Sequence, residues 1–149
     1  MADNETIHFA FVKIETDEFA MPDSPFDPTM PVEMKTILNF GFFKNETIIK
    51  IQSKCEFYQK DKLALVIAVS CHFKIEMEDW KSIYSETQKT FTLSRMLAVH
   101  FAGLTVGVAR GVLHGKTEKT IFEAFVLPPV NLLDFVKEDL ISQEVPAVE

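Results

Sequence analysis

An α+β fold is what this sequence predicts: a four-stranded antiparallel sheet carrying one long helix and a short C-terminal helix packed on one side. Three observations lead there. Four runs before residue 78 carry apolar groups at the two-residue period of strands, residues 93–113 repeat apolar groups at helical spacing, and a shorter helical pattern follows Pro128 and Pro129. The chain has 149 residues, 47% of them hydrophobic, which suits one sizeable core. Residues 1–149 are therefore expected to form one domain, with 143–149 as a flexible tail.

Residues 7–16 read as the first strand, with Ile7, Phe9 and Phe11 on one face and Ala10, Val12 and Ile14 on the other. Prolines at 22, 25, 28 and 31 then remove ladder donors and hold 21–31 in an extended crossover. From 34 to 43, Met34, Thr36, Leu38, Phe40 and Phe42 share a face, while Lys35 and Asn39 point the other way. A turn at Lys44 and Asn45 leads into a third strand, in which Ile49, Ile51, Cys55 and Phe57 oppose Lys50, Gln52, Lys54 and Glu56. A second turn near Lys60 and Asp61 opens the longest run, where alternate positions from Leu63 to Met77 are apolar and must be buried. Short turns join the last three of these runs, which makes their pairing antiparallel. Residues 78–90, polar around Trp80, Ile83 and Tyr84, read as an irregular connection.

Over 93–113, Met96, Leu97, Phe101, Leu104, Val108 and Val112 recur at helical spacing without a proline. The helix is apolar nearly all round, which fits either burial on several sides or a membrane span. Arg95, His100 and Arg110 decide against insertion, because a charged residue near mid-bilayer costs on the order of 3 kcal/mol. Gly103, Gly107 and Gly111 line one helix face, and since each costs about 1 kcal/mol relative to alanine a close contact must compensate. This chain's own sheet is one candidate partner. The same helix of a second subunit is the other, favoured because one sheet face cannot cover a helix that is apolar on all sides; Phe101 and Leu104 join the glycines as interface candidates. The last element, over 131–141, has Asn131 as a cap and an apolar stripe of Leu132, Leu133, Phe135, Val136 and Leu140.

A net charge of −7 argues against nucleic acid as the main partner, since that affinity rests on clustered Lys and Arg; a basic or apolar partner fits better. The polar, acidic start lacks the features of a secretory signal, so a cytoplasmic location is expected. Cys55 and Cys71 sit among apolar residues and read as reduced core thiols. His8, His72, His100 and His114 have no carboxylate or cysteine at ligand spacing, so no metal is expected. Acidic pairs such as Glu76 with Glu78, or Asp17 with Glu18, fall at strand ends where solvated charge is usual. With no activated nucleophile or phosphate loop, neither catalysis nor a cofactor is expected.

Three stretches resemble the SecB family, the cytosolic bacterial chaperones that hold unfolded precursors before export. Phe19-Ala20-Met21-Pro22-Asp23-Ser24-Pro25 is similar to that family's crossover motif, and Leu127-Pro128-Pro129-Val130-Asn131-Leu132 to the signature before its last helix. Ala109-Arg110 in the long helix resembles the family's Ala-Arg pair. The resemblance implies a four-stranded antiparallel sheet, a long helix at the interface of a dimer of dimers, and an ATP-independent holdase activity on unfolded or precursor polypeptides. It places the client groove around Phe19, Met21, Phe26 and the sheet edge, where Phe40 and Phe42 are further candidates. The family's acidic residue after the motif phenylalanine, used in docking the translocation ATPase, is Ala20 here. That argues against the motor as a partner and leaves Asp17 and Glu18 as the docking candidates. Family members associated with toxin–antitoxin pairs, serving a restricted client, are the alternative: a structural or regulatory homo-oligomer without general chaperone activity.

Overall fold

The computed structural model describes residues 6–22 and 26–144. Its fold is α+β: strands β1 (Phe9–Ala20), β2 (Glu33–Phe43), β3 (Ile48–Gln59) and β4 (Lys62–Ile75) form an antiparallel sheet in the order β1-β4-β3-β2. Helix α2 (Arg95–Thr117) lies on one face, after the short helix α1 (Met77–Trp80) and strands β5 (Tyr84–Ser85) and β6 (Thr90–Leu93). A single-turn helix, α3 (Leu132–Phe135), and strand β7 (Leu140–Gln143) complete the described chain. The four-stranded sheet, long helix and short C-terminal helix follow in the order the sequence implied.

Chemistry at the turns sets the hairpins. Between β2 and β3, Thr47 adopts φ 50° and its hydroxyl donates to the Ile75 carbonyl at 2.7 Å, tying the turn to the end of β4. Between β3 and β4, Lys60 and Asp61 both have positive φ, 47° and 65°, the mirror-image turn whose twist suits a two-residue hairpin. The resulting core has two parts along the sheet. Ile49, Ile51, Cys71 and Phe73 pack under the first half of α2, where Phe101 stacks on Phe73 with ring centroids 4.5 Å apart. Phe57, Leu65 and Ile67 pack under its second half with Ala109, Leu113, Phe122 and Phe125.

Several expectations are corrected. The first strand continues to Ala20, and register shifts at Phe11/Lys13 and Thr16/Glu18 leave Val12 and Asp17 as extra residues. An extra residue reverses the alternation, so Ile14 pairs with Cys71 and shares the face of Phe9 and Phe11. Met77 leaves the buried side of β4 and lies exposed in α1. Residues 78–90 are ordered in short pieces: Trp80, Ile83 and Tyr84 are buried against Phe91 and Leu93. The helix expected over 131–141 stops at Phe135, and Asn131 makes no side-chain cap. Arg95 explains the stop, since its guanidinium donates to the Leu133 and Val136 carbonyls that a continuing helix would use. Leu140–Gln143 pairs instead with β6, so Gln143 is a strand residue and the expected tail at 143–149 does not begin there; 145–149 lie outside the described residues, as do Asp23, Ser24 and Pro25.

α2 is long and apolar enough to cross a bilayer, yet Ala98, Phe101, Thr105, Ala109 and Leu113 follow one another along a buried stripe against the sheet. Ser94 accepts from the Leu97 amide at its start, and His114 and Lys116 lie in its last turn, where the helix carbonyls favour positive groups.

Candidate functional site

Strand β2 is an edge of the sheet, and its face toward α2 carries the alternation Met34, Thr36, Leu38, Phe40, Phe42. All five are half-buried, because the helix covers β3 and β4 and stops short of the edge. At ~3.3 Å per residue the row spans about 26 Å. One end opens into an apolar cleft of about 340 Å³ between the crossover and the chain after α2. Phe26 sits there against Phe122 and Phe125, at centroid distances of 4.8 and 5.0 Å, and Phe57 closes the floor 4.8 Å from Phe125. Val32, Ile121 and Val126 stand exposed at its rim. The other end opens into a cleft of about 600 Å³ between the tip of β2 and residues 142–144, where Phe42 stacks on Phe91 at 4.8 Å.

The polar framework holds the cleft walls in place. Arg110 Nε donates to the Leu127 carbonyl at 2.8 Å and Nη2 to that of Pro128 at 3.1 Å, fixing the chain after α2 against that helix. Gln59 ties the crossover to β3 through the Asp27 backbone on both sides, accepting at 3.1 Å and donating at 2.7 Å. At the second cleft, Tyr84 donates to Glu144 at 2.5 Å and Lys44 lies 3.5 Å from the same carboxylate. That hydrogen bond holds the Glu144 carboxyl below its usual range and, with burial, pushes the Tyr84 phenol up.

Of the groove candidates, Phe26, Phe40 and Phe42 line this path at its two ends. Phe19, at the end of β1, packs on the second half of the core with the Lys116 ammonium 5.3 Å over its ring, and Met21 is exposed beyond it. Leu38, Met34 and the aromatic pair Phe122 and Phe125 belong to the path and carry no motif of their own; the alternation along 34–43 is the signal that contains two of them. Asp17 and Glu18 lie on the opposite sheet face, engaged within the chain. Asp17 accepts from the hydroxyl of Ser70 and, at 2.9 Å, from Gln52, and Glu18 pairs with Lys54 at 3.5 Å. Burial works against the Asp17 carboxylate, but these hydrogen bonds outweigh it and hold its pKa below the usual range.

The interface candidates divide. A Cβ on Gly103 would meet Leu132 Cδ1 at 3.4 Å, whereas at Gly107 and Gly111 nothing lies within 4 Å, so the stripe turns away from this chain's own sheet. Leu104 is half-buried beside it. Phe101 is corrected: it is fully buried against Phe73 and Phe9 and faces this chain's own core. Burial raises the pKa of both thiols, Cys55 and Cys71, which keeps them protonated. Spacing along the chain gives the histidines no ligand set, but the fold brings His8 beside Glu76 and Asp79, with one ligand atom of each within 4.8 Å of the others. The pairing of Phe9 with Ile75 causes this meeting and is invisible in linear spacing.

No family model matches the chain, and no curated protein matches it. Among solved structures it is similar to a SecB-like chaperone of Mycobacterium tuberculosis in complex with a ChAD peptide from an antitoxin. Identity there is 11%, over 83% of this chain and 91% of that one, with a TM-score of 0.49. It is also similar to a protein of unknown function from Streptococcus agalactiae, at 9% identity over 85% of this chain and 98% of that one, with a TM-score of 0.45.

Proposed function

We propose that this chain is a polypeptide-binding chaperone that holds unfolded or precursor segments in extended form, without nucleotide, in the cytoplasm. The observation that carries the reading is the half-buried row from Met34 to Phe42 on an edge strand, joining two clefts. Burial of client side chains there contributes roughly 25 cal/mol per Å² of apolar surface, and the free edge offers backbone donors and acceptors that any sequence satisfies. Affinity without sequence specificity follows, and no bond needs to be made or broken.

Self-association is part of the proposal. Phe11, Val12 and Ile14 are exposed by 43, 51 and 53% along the other sheet edge, and the face of α2 at Gly107 and Gly111 is open. An exposed apolar edge strand and a helix face without side chains are surfaces that a second copy covers. A dimer of dimers is the assembly that the SecB resemblance implies. With Ala20 at the motor-docking position, and Asp17 and Glu18 engaged within the chain, the translocation ATPase is left out of the proposed partners.

The test is suppression of aggregation of a denatured model protein at stoichiometric amounts without nucleotide, with the assembly's mass read by light scattering. Suppression by an oligomer supports the proposal. An oligomer that leaves aggregation unchanged favours the restricted-client alternative, in which the chain serves one partner or acts as a structural or regulatory homo-oligomer.

A further inference from the structure

We propose that His8, Glu76 and Asp79 form a binding site for a divalent transition metal, with Zn²⁺ the ion of matching chemistry, which staples the start of β1 to the junction between β4 and α1.

The three donors come from two distant stretches of chain that the sheet brings together. His8 Nδ1 is hydrogen-bonded to Asp79 Oδ2 at 3.0 Å, through a proton that a bound metal would replace, and the Glu76 carboxylate completes a group whose ligand atoms lie within 4.8 Å of one another. A metal with ligands at about 2.1 Å separates neighbouring donors by roughly 3.0 to 3.4 Å, so the imidazole and Asp79 are already at coordination spacing. Glu76 is exposed, which leaves its side chain room to turn toward the other two donors. The backbone holds the frame: the His8 amide donates to Asp79 Oδ2 at 2.8 Å, and the Glu76 amide donates to the His8 carbonyl at 3.1 Å. One side of the group opens on a cleft of about 510 Å³ lined by residues 7–10 and 74–77, which leaves room for water in the open coordination position.

The local charge favours a cation. Glu78 adds a third carboxylate near the imidazole, and Lys74, which lines the same cleft, spends its ammonium on the Glu46 carbonyl at the β2–β3 turn. One imidazole with two carboxylates is a nitrogen–oxygen donor set suited to Zn²⁺, whereas Ca²⁺ and Mg²⁺ prefer oxygen alone. Both thiols are buried in the core, so they do not compete for the ion.

The test is titration of the metal-stripped full chain with Zn²⁺ against a chromophoric chelator, together with melting temperature with and without the ion. The expected result is one saturable site and a raised melting temperature, with affinity weakened on the order of tenfold or more in His8→Ala and in Glu76→Gln. Glu76→Gln changes only an exposed side chain and keeps the test valid should His8→Ala fold poorly. Absence of saturable Zn²⁺ binding would overturn the assignment, as would binding that both variants retain in full. Ca²⁺ binding as tightly as Zn²⁺ would also overturn it, by showing a cluster of carboxylates in which the imidazole takes no part.

Discussion

Gly107 and Phe101 lie on the same helix and serve opposite ends. Phe101 has no exposed surface and stacks on Phe73, so Phe101→Ala removes a large ring from a packed site and should cost about 3–5 kcal/mol in chemical denaturation. Gly107 faces open space, so Gly107→Leu should leave the protomer folded, with about 0.8 kcal/mol of added helix preference. If α2 meets a second copy there, the same change breaks the assembly, and a light-scattering mass that falls while the far-ultraviolet spectrum holds is the expected outcome. An unchanged mass would remove this face from the interface. Asp17 allows a pH test. Its folded pKa lies below the unfolded value, so its contribution is full above about pH 4 and fades as pH falls through the folded pKa. Asp17→Asn keeps an acceptor for Ser70 and Gln52 but loses the charge, so the stability gap between the two proteins should narrow below about pH 4.

Elements whose pattern is long and regular could be read from the sequence. β3 alternates without a break and α2 repeats its apolar groups through six turns; β3 appears where expected, while α2 starts at Arg95, after Leu93 has ended β6, and runs four residues past the expected Leu113. What escaped reading depends on contacts between distant residues. Arg95 ends α3 by taking carbonyls that helix continuation needs, and only the fold brings it 38 positions along the chain to Leu133. β1 carries extra residues at Val12 and Asp17, and nothing in linear alternation announces a bulge. The cleft walls depend on Arg110 in the same way. Arg110→Met keeps the aliphatic stem but frees the Leu127 and Pro128 carbonyls, and a loss of about 1.5–3 kcal/mol is expected, with faster proteolysis between 118 and 130 while α2 persists. At the β3–β4 hairpin, Lys60→Asn with Asp61→Gly supplies the pair that tolerates positive φ at both positions and should raise stability by about 0.5–1 kcal/mol.

Taken as one molecule, the chain hides its strongest apolar groups and leaves the sheet's two edges underfilled. The β1 edge exposes Phe11, Val12 and Ile14, and the β2 edge exposes the margin of a row ending in two clefts. The helix is too narrow to cover all four strands, and this single geometric fact leaves apolar both edges that the proposed function assigns, one to another copy and one to a client. The alternation of Met34 to Phe42 was visible in the sequence, but its half-burial was not, because how far α2 reaches across the sheet is a property of packing. Hydrogen exchange along β2, with and without a saturating unfolded polypeptide, decides whether a client occupies this row. Amides of 34–43 should slow on binding, and Leu38→Asp should weaken both binding and protection. A client that binds while β2 exchanges at its free rate, or that binds the Leu38→Asp protein equally well, would contradict that occupancy.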